Sequence, residues 1–94
     1  MLKITEENHD RPTTLFLEGR LAGPWVDEAE RQWDDVSLRV GPSSLVVNLH
    51  AVSFVDGAGK RLLGRMLREG AELFGARLLT KLVVEELRLE SQTF

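Results

Sequence analysis

Hydrophobic and polar residues alternate in two segments near the start of the chain. Leu2 and Ile4 have polar neighbours on both sides, and Leu15 and Leu17 repeat this pattern within residues 13–19. A period of two is typical of strands that bury one face. The polar turn between the two segments contains a proline, so we predict a hairpin of two short antiparallel strands.

A helical spacing of apolar residues begins after Pro24, a residue that suits the first turn of a helix. Four residues follow at intervals of four, four and three: Trp25, Ala29, Trp33 and Val36. Residues at these intervals share one helix face. We therefore predict a helix that buries both tryptophans in the core and ends at the breaker sequence of residues 41–44.

A second helix is predicted after Asp56, whose carboxylate suits an N-cap. Its apolar stripe comprises Leu62, Leu63, Met66, Leu67, Leu73 and Phe74. Gly70 lies on this stripe, where a missing side chain would let the helix approach the sheet. Gly75 is the predicted end of the helix.

Two further segments complete the predicted sheet. Residues 45–49 are mostly apolar and include two valines, which favours a central strand covered on both faces, with residues 52–55 leading away from it. Residues 77–82 are predicted as a fourth strand, and residues 83–87 lead into a short C-terminal helix. The order predicts an α/β fold: a four-stranded mixed, largely parallel sheet with two main helices and the short C-terminal helix.

Composition fits one soluble domain over residues 1–94. The chain is 43% hydrophobic and 29% charged, as in ordinary globular proteins. It contains no cysteine, which excludes disulfides, thiolate catalysis and cysteine-based zinc sites. We find no secretory signal and no apolar stretch long enough to span a bilayer, so we expect a cytoplasmic protein without membrane insertion.

Charge is unevenly distributed along the chain. Residues 1–59 contain five basic and ten acidic side chains, whereas residues 60–81 contain six basic and two acidic ones. A basic segment in an acidic protein either attracts an anionic partner or forms a solvated helix face. Nucleic acid is not the favoured partner, because the net charge is −3 and no aromatic series accompanies the basic residues.

Residues 48–59 form an apolar strand followed by a turn that carries Phe54, Asp56 and Gly59, and an amphipathic helix comes next. This arrangement resembles the signature of STAS domains, found in anti-sigma factor antagonists and in sulfate transporter tails. Residues 15–21 resemble the second strand of the family and the loop after it. The resemblance implies protein binding, with an anti-sigma factor or a sensor kinase as partner.

The chain departs from the STAS pattern at the turn itself. The family's phosphoacceptor position is Ala58 and the neighbouring serine position is Gly57, so neither carries a hydroxyl. Ala22 occupies a loop position where family members often have aspartate. Ser53 precedes the turn and is not expected to replace the acceptor. Phosphorylation at this turn is therefore excluded, and with it the switch that the resemblance implies.

Catalytic and metal-binding motifs are absent from the sequence. The two histidines, His9 and His50, have no spacing that favours a metal site. An acid–base pair of Asp56 with His50 is conceivable, but a capping role for Asp56 is the better interpretation. The segment 57–60 matches only part of a phosphate-binding loop. We expect no enzyme, no cofactor and no metal.

The sequence thus predicts a STAS-like protein-interaction module that is not controlled by phosphorylation at the usual position. The predicted partner-binding residues are Asp56, Gly57, Ala58, Gly59, Lys60, Arg61 and Arg65. The alternative is a small anion or nucleotide binder that uses the N-terminus of the second helix together with Lys60 and Arg61.

Overall fold

The computed structural model describes residues 1–8 and 12–75. These residues form a four-stranded mixed sheet with two helices, which confirms the predicted α/β class. The elements are β1 (Leu2–Glu7), β2 (Thr13–Leu21), α1 (Pro24–Val40), a 3₁₀ turn (Pro42–Ser44), β3 (Leu45–Val55), α2 (Gly57–Arg68) and β4 (Glu72–Phe74).

The strand order in the sheet is β1-β2-β3-β4. β1 and β2 are antiparallel, as the predicted hairpin requires, and β2, β3 and β4 run parallel. Both parallel connections step in the same direction across the sheet. Because such crossovers are right-handed, α1 and α2 lie on the same face. The strand predicted at residues 77–82 and the C-terminal helix lie outside the described residues.

One hydrophobic core fills the space between the two helices and the sheet. Four side chains are completely buried in it: Leu21, Trp33, Val47 and Leu63. Leu73 of β4 is completely buried in the same core. Each Å² of apolar surface that is removed from water stabilises this packing by about 25 cal/mol. The core therefore holds both ends of α2 against strands whose carboxyl ends carry the turn described below.

Trp25 does not belong to the core, contrary to the sequence prediction. Its side chain is 40% exposed, and Val26 is buried in its place. The buried face of α1 consists of Val26, Ala29, Trp33 and Val36, at intervals of three, four and three. One residue corresponds to a rotation of about 100° around a helix, so burial of Val26 turns Trp25 toward solvent.

β3 is longer than predicted and continues to Val55, the residue before Asp56. It contains two irregularities against β2. Phe16 pairs with Asn48 but Glu18 pairs with Ala51, and Gly19 pairs with Val52 but Arg20 pairs with Phe54. In each interval β3 has one extra residue, as in a β-bulge. The bulges change which side chains face the core, so that Val52 is buried while Phe54 is 40% exposed.

α2 ends at Arg68, six residues earlier than the predicted stripe, which ran to Phe74. Gly70 has a φ of 112°, a conformation that favours glycine. Its N–H donates to the carbonyl of Leu67, and the N–H of Ala71 donates to the carbonyl of Met66. This pair of bonds is a Schellman cap. Gly70 therefore stops the helix, and Leu73 lies on strand β4 instead, while Gly75 follows that strand.

Candidate functional site

Asp56 ties together two loops at the carboxyl ends of β2 and β3. Its Oδ1 accepts a hydrogen bond from the N–H of Gly59 at 2.8 Å, which caps α2 as predicted. Its Oδ2 accepts from the N–H of Gly23 at 2.9 Å, in the loop that precedes α1. The N–H of Asp56 in turn donates to the carbonyl of Leu21. The turn at residues 55–59, here called the Asp56 turn, is thus fixed to its neighbouring loop.

The hydrogen bonds also determine the charge state of Asp56. The N–H of Gly23 and then that of Gly59 lower the pKa of the carboxyl, and the positive charge of Arg61 lowers it further. The carboxylate is therefore ionised and directed at backbone N–H groups. His50 is exposed on β3 and is not among these hydrogen-bond partners, so the geometry favours capping over an acid–base pair with His50.

The three small residues of the turn have different surroundings. Gly57 is exposed, Ala58 is half-buried against the core, and Gly59 is buried. A Cβ on Gly59 would lie 2.4 Å from the carbonyl oxygen of Leu21 and 2.9 Å from Cγ1 of Val55. Gly59 therefore permits a close approach of α2 to β2, whereas Gly57 is the position of the turn that faces outward.

The predicted basic residues of α2 are not one cluster. Arg61 is exposed, and its Nη1 would lie 3.6 Å from a Cβ at Gly57, so it borders the turn. Lys60 is half-buried in the first turn of the helix. Arg65 instead points to α1 and α2 carboxylates: Glu30 at 3.1 Å, Asp34 at 2.6 Å and Glu69 at 2.8 Å. Arg65 thus connects the two helices.

Three residues near the turn were not predicted as part of the site. Trp25 and Phe54 are each 40% exposed, and the guanidinium carbon of Arg20 lies 4.6 Å from the centre of the Phe54 ring. Trp25 had a helical spacing typical of the core, and Phe54 was known only as a motif position. The two bulges that expose Phe54 have no signal in the hydrophobic pattern.

Ser53 and Ala22, two positions that the sequence resemblance singled out, lie beside the turn. Ser53 is exposed, and its Oγ donates a hydrogen bond to the carbonyl of Gly19 at 3.1 Å. Ala22 is half-buried, and its carbonyl accepts from the N–H of Trp25. Neither residue contributes a charge to the surface of the turn.

Over residues 1–8 and 12–75, no three histidine, aspartate or glutamate side chains are placed to hold a metal ion. Neither helix in this part of the chain is long and apolar enough to cross a membrane. The chain matches no protein-family model and no curated protein.

Proposed function

We propose that this chain is a non-catalytic protein-interaction module of bacterial regulation, of the STAS or anti-sigma antagonist type. The observation that carries the proposal is the use of both Asp56 carboxylate oxygens as acceptors for backbone N–H groups. The acid of the turn therefore serves structure. The surface that it holds in place offers a partner a fixed shape bordered by Arg61, which is what recognition without chemistry requires.

The binding at this turn is independent of phosphorylation. Gly57 has no side chain, and the methyl group of Ala58 packs against the core. The hydroxyl of Ser53 is directed to the carbonyl of Gly19 on the neighbouring strand. The proposed module is thus a constitutive partner or a scaffold subunit. We also propose a cytoplasmic location, because a chain without cysteine does not need an oxidising compartment for disulfide formation.

The anion-binding alternative is less well supported by the geometry. A helix N-terminus attracts anions because its first N–H groups lack partners. In α2 the N–H of Gly59 already donates to the Asp56 carboxylate, which also places a negative charge at this end of the helix. An incoming phosphate would have to displace that carboxylate or bind beside it against charge repulsion.

Photo-crosslinking tests the proposal. A photoreactive benzoylphenylalanine replaces Gly57, which is exposed and where, among the described residues, a Cβ would contact only the flexible Arg61 side chain. The control carries the same group at Leu38, which is 88% exposed on α1. In cells of the source species we expect a discrete protein adduct from position 57 and none from position 38. The same adducts from both positions would contradict the proposal.

A second experiment separates binding of a protein from binding of an anion. For the partner identified by crosslinking, Gly57→Glu should weaken the affinity about tenfold or more, because it places a charged side chain in the contact. Arg68→Glu, at the other end of α2, should leave the affinity unchanged. Calorimetric titration with ATP, GTP and inorganic phosphate should give no binding heat. Saturable heat that Arg61→Met removes would favour the anion binder.

A further inference from the structure

β1 is an edge strand of the sheet, because β2 is its only strand partner among the described residues. The N–H of Arg20 donates to the carbonyl of Met1, and in an antiparallel ladder this bond determines that every second residue from Met1 onward pairs with β2. The backbone groups of Leu2, Ile4 and Glu6 are therefore directed away from β2. In the part of the chain that the structure describes, no strand pairs with them. An edge of this kind can accept a further strand.

The two faces of β1 restrict how a second copy of the strand could pair with it. Leu2 lies in the hydrophobic core and Ile4 packs against it, so the even-numbered side chains face the helices. The odd-numbered side chains, Lys3, Thr5 and Glu7, lie on the opposite face. An antiparallel second copy keeps its core on the same side only if even-numbered residues meet even-numbered ones. The outward backbone groups then also meet each other, so the allowed registers differ by steps of two residues.

The charges of β1 are complementary to those of a second copy. Lys3 and Glu7 are exposed near opposite ends of the strand. A two-fold axis at Thr5 brings Lys3 opposite Glu7 of the second copy, and the symmetry repeats this pair. Both pairs fall at non-hydrogen-bonded positions of the new ladder, where facing side chains are closest, so opposite charges stabilise it. Within the described residues, Glu7 has no ionic partner, and Lys3 has only Glu18 at 3.9 Å.

The neighbouring registers are less favourable. An axis at Glu6 would bring this residue opposite itself, and like charges directly opposite each other destabilise a ladder. An axis at Ile4 would place Lys3 opposite Thr5, so that Lys3 would face no carboxylate. With the axis at Thr5, Glu6 lies opposite Ile4, but its charge is already compensated by Arg39 of α1 at 2.7 Å. The charged residues of β1 therefore favour one register and oppose indiscriminate edge pairing.

We propose that β1 is a self-association surface, to which a second copy of this chain binds in antiparallel orientation about a two-fold axis at Thr5. The two four-stranded sheets then form one continuous sheet. The Asp56 turn remains open in this dimer, because it lies at the carboxyl ends of β2 and β3. Antiparallel pairing directs the two Asp56 turns to opposite ends of the continuous sheet. The dimer thus presents the proposed partner-binding surface twice.

Sedimentation velocity of the 94-residue chain tests the proposal at low salt. A strand of six residues forms a small interface, so we expect a weak, reversible dimer between about 10 μM and about 1 mM protein. Lys3→Glu and Glu7→Lys each place two pairs of like charges in the interface, so each should weaken the dimer about tenfold. Arg68→Glu and Glu72→Lys change exposed charges away from β1 and should leave it unchanged.

Mixing the two β1 variants separates a charge effect from a folding defect. In an equimolar mixture, the acidic residues at positions 3 and 7 of one chain meet the basic residues at positions 7 and 3 of the other. The mixture should therefore form a heterodimer about as readily as the wild type self-associates, although each variant alone associates weakly.

Disulfide formation tests the register. The chain has no cysteine, so Thr5→Cys carries a single thiol. Facing residues of a non-hydrogen-bonded pair have Cα atoms about 4.5 Å apart, a separation that a disulfide spans. Under mild oxidation, Thr5→Cys should form a covalent dimer about tenfold faster than Ser53→Cys, an exposed position on β3. Adding Lys3→Glu to Thr5→Cys should slow the reaction.

The inference is overturned by a chain that stays monomeric up to about 1 mM, or by a dimer that Lys3→Glu and Glu7→Lys do not weaken. Absence of the heterodimer, or equal oxidation rates for Thr5→Cys and Ser53→Cys, would also overturn it. None of these outcomes affects the proposed function, which depends on the protein adduct at position 57. Loss of that adduct would in turn leave self-association through β1 intact, so the two failures are distinguishable.

Discussion

The two ends of α2 use arginine in opposite ways. At the N-terminal end, Arg61 is exposed beside Gly57 and forms no ion pair with the described residues. One turn further, Arg65 contacts Glu30, Asp34 and Glu69. The difference comes from α1, whose carboxylates reach the second half of α2. Identical side chains four residues apart thus differ in their contacts: Arg61 is exposed beside the turn, and Arg65 joins the two helices.

At the C-terminal end of α2, a network of hydrogen bonds and ion pairs covers the buried side chain of Trp33. The indole N–H of Trp33 donates to Glu69 at 2.8 Å, and Arg65 holds the other carboxylate oxygen. Burial raises the pKa of Glu69, but the hydrogen bonds from Arg65 and Trp33 outweigh it and lower the pKa overall. This end is organised for stability, whereas the Asp56 turn leaves its surface open.

Gly59→Ala should produce the largest loss of stability. The added Cβ would lie 2.4 Å from the Leu21 carbonyl oxygen and force α2 away from β2. We expect a loss of about 3 kcal/mol in the free energy of unfolding, measured by urea titration. Gly57→Ala is the control and should stabilise by about 0.5 kcal/mol, because alanine favours helix and its Cβ would meet Arg61 alone among the described residues, at an ordinary contact distance. Equal effects at both glycines would contradict the close approach.

Trp33→Phe should come next. Trp33 is fully buried, and phenylalanine would leave a small cavity and remove the hydrogen bond to Glu69. We expect a loss of about 2 kcal/mol in the free energy of unfolding. Trp25→Phe changes a side chain that is 40% exposed near the start of α1, so it should alter the free energy of unfolding by less than about 0.5 kcal/mol. Similar losses of stability for Trp33→Phe and Trp25→Phe would indicate that Trp25 packs in the core, as the sequence predicted.

These contrasts indicate what the sequence could predict. Three local signals each led to the correct element: the alternation around Leu15 and Leu17, Pro24 at the start of α1, and the cap at Asp56. The end of α2 was missed because Gly70 lies on an apolar stripe that continues to Leu73. Glycine on such a stripe permits both close packing and a left-handed stop, and the choice depends on tertiary contacts.

The candidate site was predicted less completely than the fold. Arg65 was grouped with Lys60 and Arg61 because all three fall within six residues, but its ion pairs depend on where α1 crosses α2. Phe54 and Arg20 meet only because two extra residues in β3 shift its register. Contacts between distant segments leave no trace in a single hydrophobic pattern. The role of the site in binding stays a prediction.

Arg65→Met compared with Arg61→Met measures the contrast between the two arginines directly. Without Arg65, three carboxylates repel one another, so we expect a loss of about 1 kcal/mol in the free energy of unfolding at low salt. Arg61→Met should change it by less than about 0.5 kcal/mol. The penalty at Arg65 should also shrink in about 1 M NaCl, because salt screens the repulsion. Equal effects at both positions would show that Arg65 does not join the helices.

The smallest effect is a pH dependence that belongs to Asp56 alone. The bonds from Gly23 and Gly59 lower its pKa in the folded protein, so the ionised carboxylate stabilises the fold above the unfolded pKa of about 3.9. That contribution is lost as pH falls through the lower folded pKa. Asp56→Asn lacks it, so the difference in unfolding midpoint between wild type and variant should be largest near about pH 6 and shrink below about pH 4. Glu6 and Glu69, whose pKa values are also lowered, titrate in both proteins and cancel. A difference that stays constant with pH would mean that the carboxylate charge does not fasten the turn to the Gly23 loop.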